Sequence, residues 1–169
     1  MTGASFDALF KANFSAVTAY ARRRASGADA DDVVAEVFTA AWRRMGDIPV
    51  GRELPWLYGV ARRTLANQRR GAARRLRLVD RVAREPTRET ALNASGAIAD
   101  AFARLRPDDR EVLRLAAWEQ LTAAEIAVVL GCSPNAAALR LSRARHKLRE
   151  VLTETSSSRT QDDRSDTDA

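Results

Sequence analysis

Residues 121–150 read "LTAAEIAVVLGCSPNAAALRLSRARHKLRE", and this stretch decides the fold. Thr122 with Glu125 matches the capping box, in which each side chain satisfies the other residue's free backbone N–H at a helix start. Ile126, Val129 and Leu130 follow at helical spacing, and Gly131 suits the left-handed position that ends a helix. Ser133 and Pro134 supply a new cap and a first-turn proline, and Ala137, Leu141, Ala144 and Leu148 form the inward stripe of a second helix. Two helices joined by a turn of about four residues form the helix-turn-helix arrangement, which lays its second helix in the DNA major groove. If that stripe faces the core, then Asn135, Ala138, Leu139, Arg140, Ser142, Arg143 and Arg145 lie outward or on the flanks. Such a face is basic, as a DNA-facing surface should be. A basic amphipathic helix is often only a solvated face, but here two caps, a glycine turn and the charge coincide.

Working outward, Ile98, Phe102 and Leu105 form one stripe, Pro107 with Asp108 restarts the chain, and Val112, Leu113 and Ala116 form another. These precede the helix pair and complete a helical unit over residues 96–152. In the first half, Phe6, Leu9, Phe10, Phe14, Val17 and Ala21 stand three or four apart, the period of an apolar helical face. Val33, Val34, Val37, Phe38, Ala41 and Met45 repeat it after the acidic "SGADAD" start. "GDIPVGRELP" reads as a loop, and Pro55 suits the first turn of a third helix carrying Leu57, Val60, Ala61 and Leu65 inward. Residues 1–70 therefore form a first helical unit. From Arg62 to Arg84 the chain holds nine Arg against one acid, Asp80, and then turns polar with Pro86, Asn93, Ser95 and Gly96. Residues 71–95 are expected to be a linker, helical at most at its start. The tail 153–169, "TETSSSRTQDDRSDTDA", has no apolar residue before its final Ala and is expected to be disordered. The fold class is all-α: two small helical domains joined by a linker, the second with a helix-turn-helix.

Composition narrows the partners. The net charge is +6 over 169 residues, and Arg outnumbers Lys 26 to 2. That balance favours a polyanion, nucleic acid or an anionic membrane surface. Cys132 is the only cysteine and His146 the only histidine, so neither a disulfide nor an ordinary zinc site is expected. No apolar window spans a membrane and the N-terminus is unlike a signal peptide, so a cytoplasmic protein without membrane insertion is expected. His146 sits on a basic helix, Asp31, Asp32 and Glu36 have no nucleophile beside them, and no Gly-rich phosphate loop is present. The sequence therefore points to neither an enzyme nor a cofactor.

Four stretches together resemble the sigma-70 family of RNA polymerase sigma factors, specifically the small two-domain extracytoplasmic-function (ECF) type of bacteria. They are "FDALFKANFSAVTAYARRR", "DADDVVAEVFTAAWRR", "PWLYGVARRTLANQRR" and "LRPDDREVLRLAAWEQLTAAEIAVVLGCSPNAAALRLSRARHKLRE", and the resemblance extends over about residues 5–152. The resemblance implies that the second helix docks on the clamp helices of the polymerase largest subunit. Asp31, Asp32 and Glu36 would pair with basic residues there, while Val33, Val37 and Phe38 divide between core and contact. The same acids also favour a helix N-terminus. It implies further that the third helix and the preceding loop, with Arg52, recognise and open the minus-ten element. Trp56 and Tyr58 would stack on unpaired bases, and Arg62, Arg63, Asn67, Arg69 and Arg70 would hold the strand. Trp56 stays open between this role and an ordinary core position.

The last helix would bind the minus-thirty-five element. Where a Gly-Thr-Val-Lys-Ser-Arg type segment is usual, this chain has Asn135-Ala136-Ala137-Ala138-Leu139-Arg140, so the polar pair expected at Ala138 and Leu139 is missing. Base-edge hydrogen bonds then fall largely to Asn135, Ser142 and Arg143, and phosphates to Arg140 and Arg145, with shape or thymine methyl contact left open. The Arg-rich linker also departs from an acidic, RNA-mimicking one. The implied partners are core RNA polymerase, through clamp helices and flap, promoter DNA, and a separate anti-sigma factor. The implied function is a promoter-specificity subunit that helps melt the promoter and performs no chemistry. The alternative is a stand-alone helix-turn-helix regulator that ignores the polymerase core.

Overall fold

A computed structural model of the chain describes residues 3–79 and 96–165. Within them the order is α1 (Gly3–Arg22), α2 (Gly27–Arg43), a single 3-10 turn (Met45–Asp47), α3 (Glu53–Val79), α4 (Gly96–Arg104), α5 (Pro107–Ala117), α6 (Ala123–Leu130) and α7 (Pro134–Ser165). The described residues include no strand. They form two compact units, the first built on α1, α2 and α3 and the second mainly on α4 to α7.

In the first unit, the three-and-four spacing along α2 puts Ala30, Val33, Val37 and Ala41 on one face, and each is fully buried. Val17, Tyr20 and Ala21 of α1 and Leu57, Ala61 and Leu65 of α3 close the same core. Burying a valine or leucine side chain contributes about 1.5–3 kcal/mol, so this face holds the three helices together. Pro55 lies in the first turn of α3, where a missing N–H costs nothing because that turn has no acceptor for it. The backbone N–H of Gly51 donates to the Glu53 carboxylate at 2.9 Å, which fixes the entry to α3. Phe14, expected inward, is 43% exposed at the edge of an aromatic row with Phe10, whose ring centroid lies 4.9 Å away.

α3 continues to Val79, so residues 71–79 of the expected linker are helix. Ala72, Ala73 and their arginine neighbours are strong helix formers, and extending an existing helix adds one hydrogen bond per residue fixed. The remainder of the expected linker, 80–95, lies outside the described residues.

In the second unit the sequence's stop and start signals all operate. The Thr122 N–H donates to the Glu125 carboxylate at 2.8 Å and the Glu125 N–H donates to Thr122 Oγ1 at 3.3 Å, a complete capping box. α6 ends on Gly131 at φ 65°, with Cys132 N–H donating to Ala127 O at 3.0 Å and Gly131 N–H to Val128 O at 3.4 Å. These two bonds are the Schellman pair that satisfies the last carbonyls of a helix. Ser133 Oγ accepts the Ala136 N–H at 3.2 Å and so starts α7. Ile126, Ala127, Ala137, Leu141 and Ala144 are buried, which sets the outward face of α7. Arg114 is buried as well, with its guanidinium 5.4 Å from the ring centroids of both Phe102 and Trp118.

Two expectations are corrected here. Ile98, placed in the inward stripe of α4, is 41% exposed; Ala101 and Leu105 carry the burial in that helix instead. The tail expected to be disordered is helical as far as Ser165. Elongating an existing helix is cheap, because each added residue gains a backbone bond without a new nucleus. Glu154 also pairs with Arg104 at 2.9 Å, and Lys147 with the Asp109 carboxylate at 2.7 Å, tying α7 to α4 and α5. Residues 166–169 lie outside the described residues.

Candidate polymerase and promoter interfaces

The outward face of α2 is acidic. Asp31, Asp32 and Glu36 are all exposed, and among the described residues Arg22 approaches them, at 3.7 Å from Asp31 with both side chains 66% exposed. A pair that open to water contributes little, so this face is left accessible to a partner. Val33 and Val37 were expected to touch that partner in part; both are fully buried and cannot. They face the interior because they share the α2 face of Ala30 and Ala41. Trp42 was missed. It is 59% exposed, stands edge-on to Phe6 with centroids 5.0 Å apart, and follows Asp31 by eleven residues. At 3.6 residues per turn that spacing puts it on the line of Asp31 and Ala35. That interval in the sequence was the signal available.

On α3 the exposed residues Arg63, Asn67, Arg70 and Arg74 recur at intervals of four, three and four, so they form one line along the helix. Arg70 donates to the Asn67 side-chain oxygen, which couples two members of the line. Arg74 lies in the stretch expected to be linker, and the continuation of α3 to Val79 brings it onto this line. Arg62 is half-buried, and Arg52 is exposed at the helix start, where its carbonyl accepts the Trp56 N–H at 3.1 Å. Arg69 is exposed and also donates to the Arg24 carbonyl at 3.2 Å, so it helps hold α3 to the chain just after α1.

The two aromatic candidates separate. Trp56 is half-buried, with the Arg44 guanidinium 5.8 Å from its ring centroid and Arg44 in turn held by Asp47 at 2.9 Å. Tyr58 is only 3% exposed and stacks on Tyr20 with centroids 4.7 Å apart and planes 23° from parallel. Its ring face is occupied, so the expectation that Tyr58 stacks on a base is corrected. Tyr20 itself carries the Arg24 guanidinium at 3.6 Å from its centroid, which makes a buried cation–aromatic stack below the α3 start.

On α7, Asn135, Ala138, Leu139, Arg140, Ser142, Arg143 and Arg145 are all exposed, while Ala137, Leu141 and Ala144 are buried. The arrangement is the one expected of a recognition helix, with hydrogen-bonding and basic groups on the side opposite the core. His146, also exposed, lies 3.3 Å from the Glu150 carboxylate one turn on.

Two family models match the chain: Sigma-70 region 2 over residues 9–75 and Sigma-70, region 4 over residues 95–148. The RNA polymerase sigma factor CarQ of Myxococcus xanthus is 36% identical over 163 residues, covering 89% of this chain and 90% of that protein. The chain belongs to the sigma-70 family. It is an ECF-type sigma factor, a promoter-specificity subunit that directs RNA polymerase, and its family consists of regulatory, non-catalytic subunits. Among solved structures, the sigma factor RpoE from Bartonella quintana, in complex with the anti-sigma factor NepR, is 25% identical. Its TM-score is 0.64, with 88% of this chain and 97% of that one covered. CnrH, in complex with the cytosolic domain of CnrY, is 27% identical at a TM-score of 0.61, covering 90% of each chain. Both share the two-domain helical architecture of this sigma factor. No helix among the described residues is long and apolar enough to cross a membrane.

Proposed function

We propose that this sigma factor grips its partners through three separate faces: the acidic face of α2 on the clamp helices of the polymerase largest subunit, the α3 line on the minus-ten element, and the outward face of α7 on the minus-thirty-five element. One observation supports this reading most directly. In a chain of net charge +6, exposed carboxylates gather on α2 while exposed guanidiniums line α3 and α7. A basic protein surface is drawn to the first and a polyanion to the other two.

Residues 1–70 supply core docking and minus-ten contact, residues 96–152 the minus-thirty-five contact and the flap contact, and residues 71–95 the connection between them. Asp31, Asp32 and Glu36 form ion pairs with the clamp helices, and Val33 and Val37 act by holding α2 in place. Arg52, Arg62, Arg63, Asn67 and Arg70 engage the minus-ten strand, joined by Arg74. Trp56, half-buried at the α3 start, stacks on a base once the duplex opens. On α7, Asn135, Ser142 and Arg143 reach base edges, and Arg140 and Arg145 reach phosphates. The protein performs no chemistry, needs no cofactor and acts in the cytoplasm, where the polymerase is. RpoE was solved with an anti-sigma factor, and a comparable protein is proposed to hold this chain inactive.

The test is reconstitution with bacterial core polymerase on a library of promoter fragments. Promoter-selective initiation that Asp31→Arg with Asp32→Arg abolishes, together with core association, supports the reading. Core association unchanged in that doubly reversed variant refutes the α2 assignment.

A further inference from the structure

Leu139 is a large apolar side chain in the middle of a basic helix face, 48% exposed. It does not serve the core of α7, which Ala137, Leu141 and Ala144 already complete on the opposite side. Successive residues of a helix are about 100° apart, so Leu139 lies about 200° from Ala137, at the centre of the outward face. Asn135 lies one turn before it and Ser142 and Arg143 one turn after it, all exposed. It is the sixth residue of α7, within the N-terminal part of a recognition helix that contacts base edges. Its exposed neighbour Ala138 is too small to block the approach.

In the major groove every base edge offers hydrogen-bonding groups, and thymine alone adds an apolar one, its 5-methyl. A leucine flanked by Asn, Ser and Arg cannot hydrogen-bond a base, but it can exclude water from that methyl. We propose that Leu139 is a specificity-determining residue that reads a thymine 5-methyl group in the upstream promoter element. The proposal rests on the reading of α7 as the minus-thirty-five helix.

The experiment uses holoenzyme assembled from the full chain and bacterial core polymerase. An upstream element is first selected from randomised duplexes, and each thymine in it, on either strand, is then replaced by 2′-deoxyuridine. Removing the methyl at one position should weaken binding about fourfold, the equivalent of ~0.8 kcal/mol for one buried carbon. Leu139→Ala should weaken the thymine duplex by at least that factor and abolish the difference between thymine and deoxyuridine at that position alone. Leu139→Gln, able to pair with adenine N6 and N7, should shift the selected base there to adenine. Three results overturn the proposal: a selected element without any A·T pair, a methyl effect that persists in Leu139→Ala, or no methyl effect in the wild-type protein. Arg143→Ala tells this failure from the larger one. If that variant keeps full dependence on the upstream element, the α7 reading itself is wrong and the proposal falls with it; if it loses the dependence while no methyl effect is seen, only the Leu139 assignment fails.

Discussion

Arg140 and Arg145 offer the most quantitative handle on the proposed grip of α7 on DNA. Both are exposed, and at 3.6 residues per turn they fall on opposite flanks of the outward face, placed to meet phosphates on the two sides of a groove. Each phosphate neutralised on duplex DNA contributes about 0.9 to the slope of log affinity against log salt. Replacing both with Ala should therefore flatten the slope by about 1.8. Between 50 and 200 mM salt this means that the wild-type protein loses about 12-fold more affinity than the double variant. The fold should be untouched, since neither residue is buried and Ala is the strongest helix former. The assay is fluorescence anisotropy of the holoenzyme on a duplex limited to the upstream element, titrated at several salt concentrations. Binding should weaken by the same factor on matched and mismatched elements, because phosphates carry no sequence information. An unchanged slope in a folded variant, or weakening confined to the matched element, refutes the phosphate assignment.

Other consequences follow from burial. Trp56→Ala should reduce open-complex formation, scored by permanganate reactivity of unpaired thymines, by the ~1–3 kcal/mol of one lost base–aromatic stack; Tyr58→Phe should leave it unchanged, because Tyr58 is buried against Tyr20. Asp31→Ala with Glu36→Ala should lower core affinity without changing thermal stability, whereas Val37→Ala should cost about 2 kcal/mol of stability through the cavity it leaves, seen in denaturant titration. Gly131→Ala should destabilise the end of α6 by about 1–2 kcal/mol, since φ 65° suits a residue without Cβ, even though no neighbouring atom lies within 4 Å of the added carbon.

The parts of the molecule that could be read from sequence are those decided locally. The capping box at Thr122 and Glu125, the left-handed Gly131 and the cap at Ser133 each depend on residues within five positions, and all three form. The seven outward residues of α7 followed from one apolar stripe. Val33 and Val37 lie on the apolar period of α2 with Ala30 and Ala41, so their burial is legible in the sequence; Tyr58 needs more. Periodicity says that α2 and α3 have a buried side, but whether the arc takes in a residue at its margin depends on the helix packed across from it. For Tyr58 that neighbour is Tyr20, thirty-eight positions earlier in the chain. The hydrogen bond from exposed Arg69 is hidden from the sequence for a similar reason: its acceptor is the carbonyl of Arg24, forty-five residues away. The extents of α3 and α7 were underestimated because the apolar stripe stops before the helix does, and helix elongation does not require a stripe. Trp42 and Arg74 were legible in principle, each continuing the register of residues already chosen on its helix.

On the proposed reading this chain recognises promoters as part of RNA polymerase and not alone. The direct measurement is binding of one labelled promoter duplex by the chain, with and without core polymerase, under the same salt. Tight, sequence-selective binding should occur only when core polymerase is present, with a strand-separated region at the minus-ten element. Tight selective binding by the chain alone, unaffected by core polymerase, would contradict the claim and identify a stand-alone helix-turn-helix regulator.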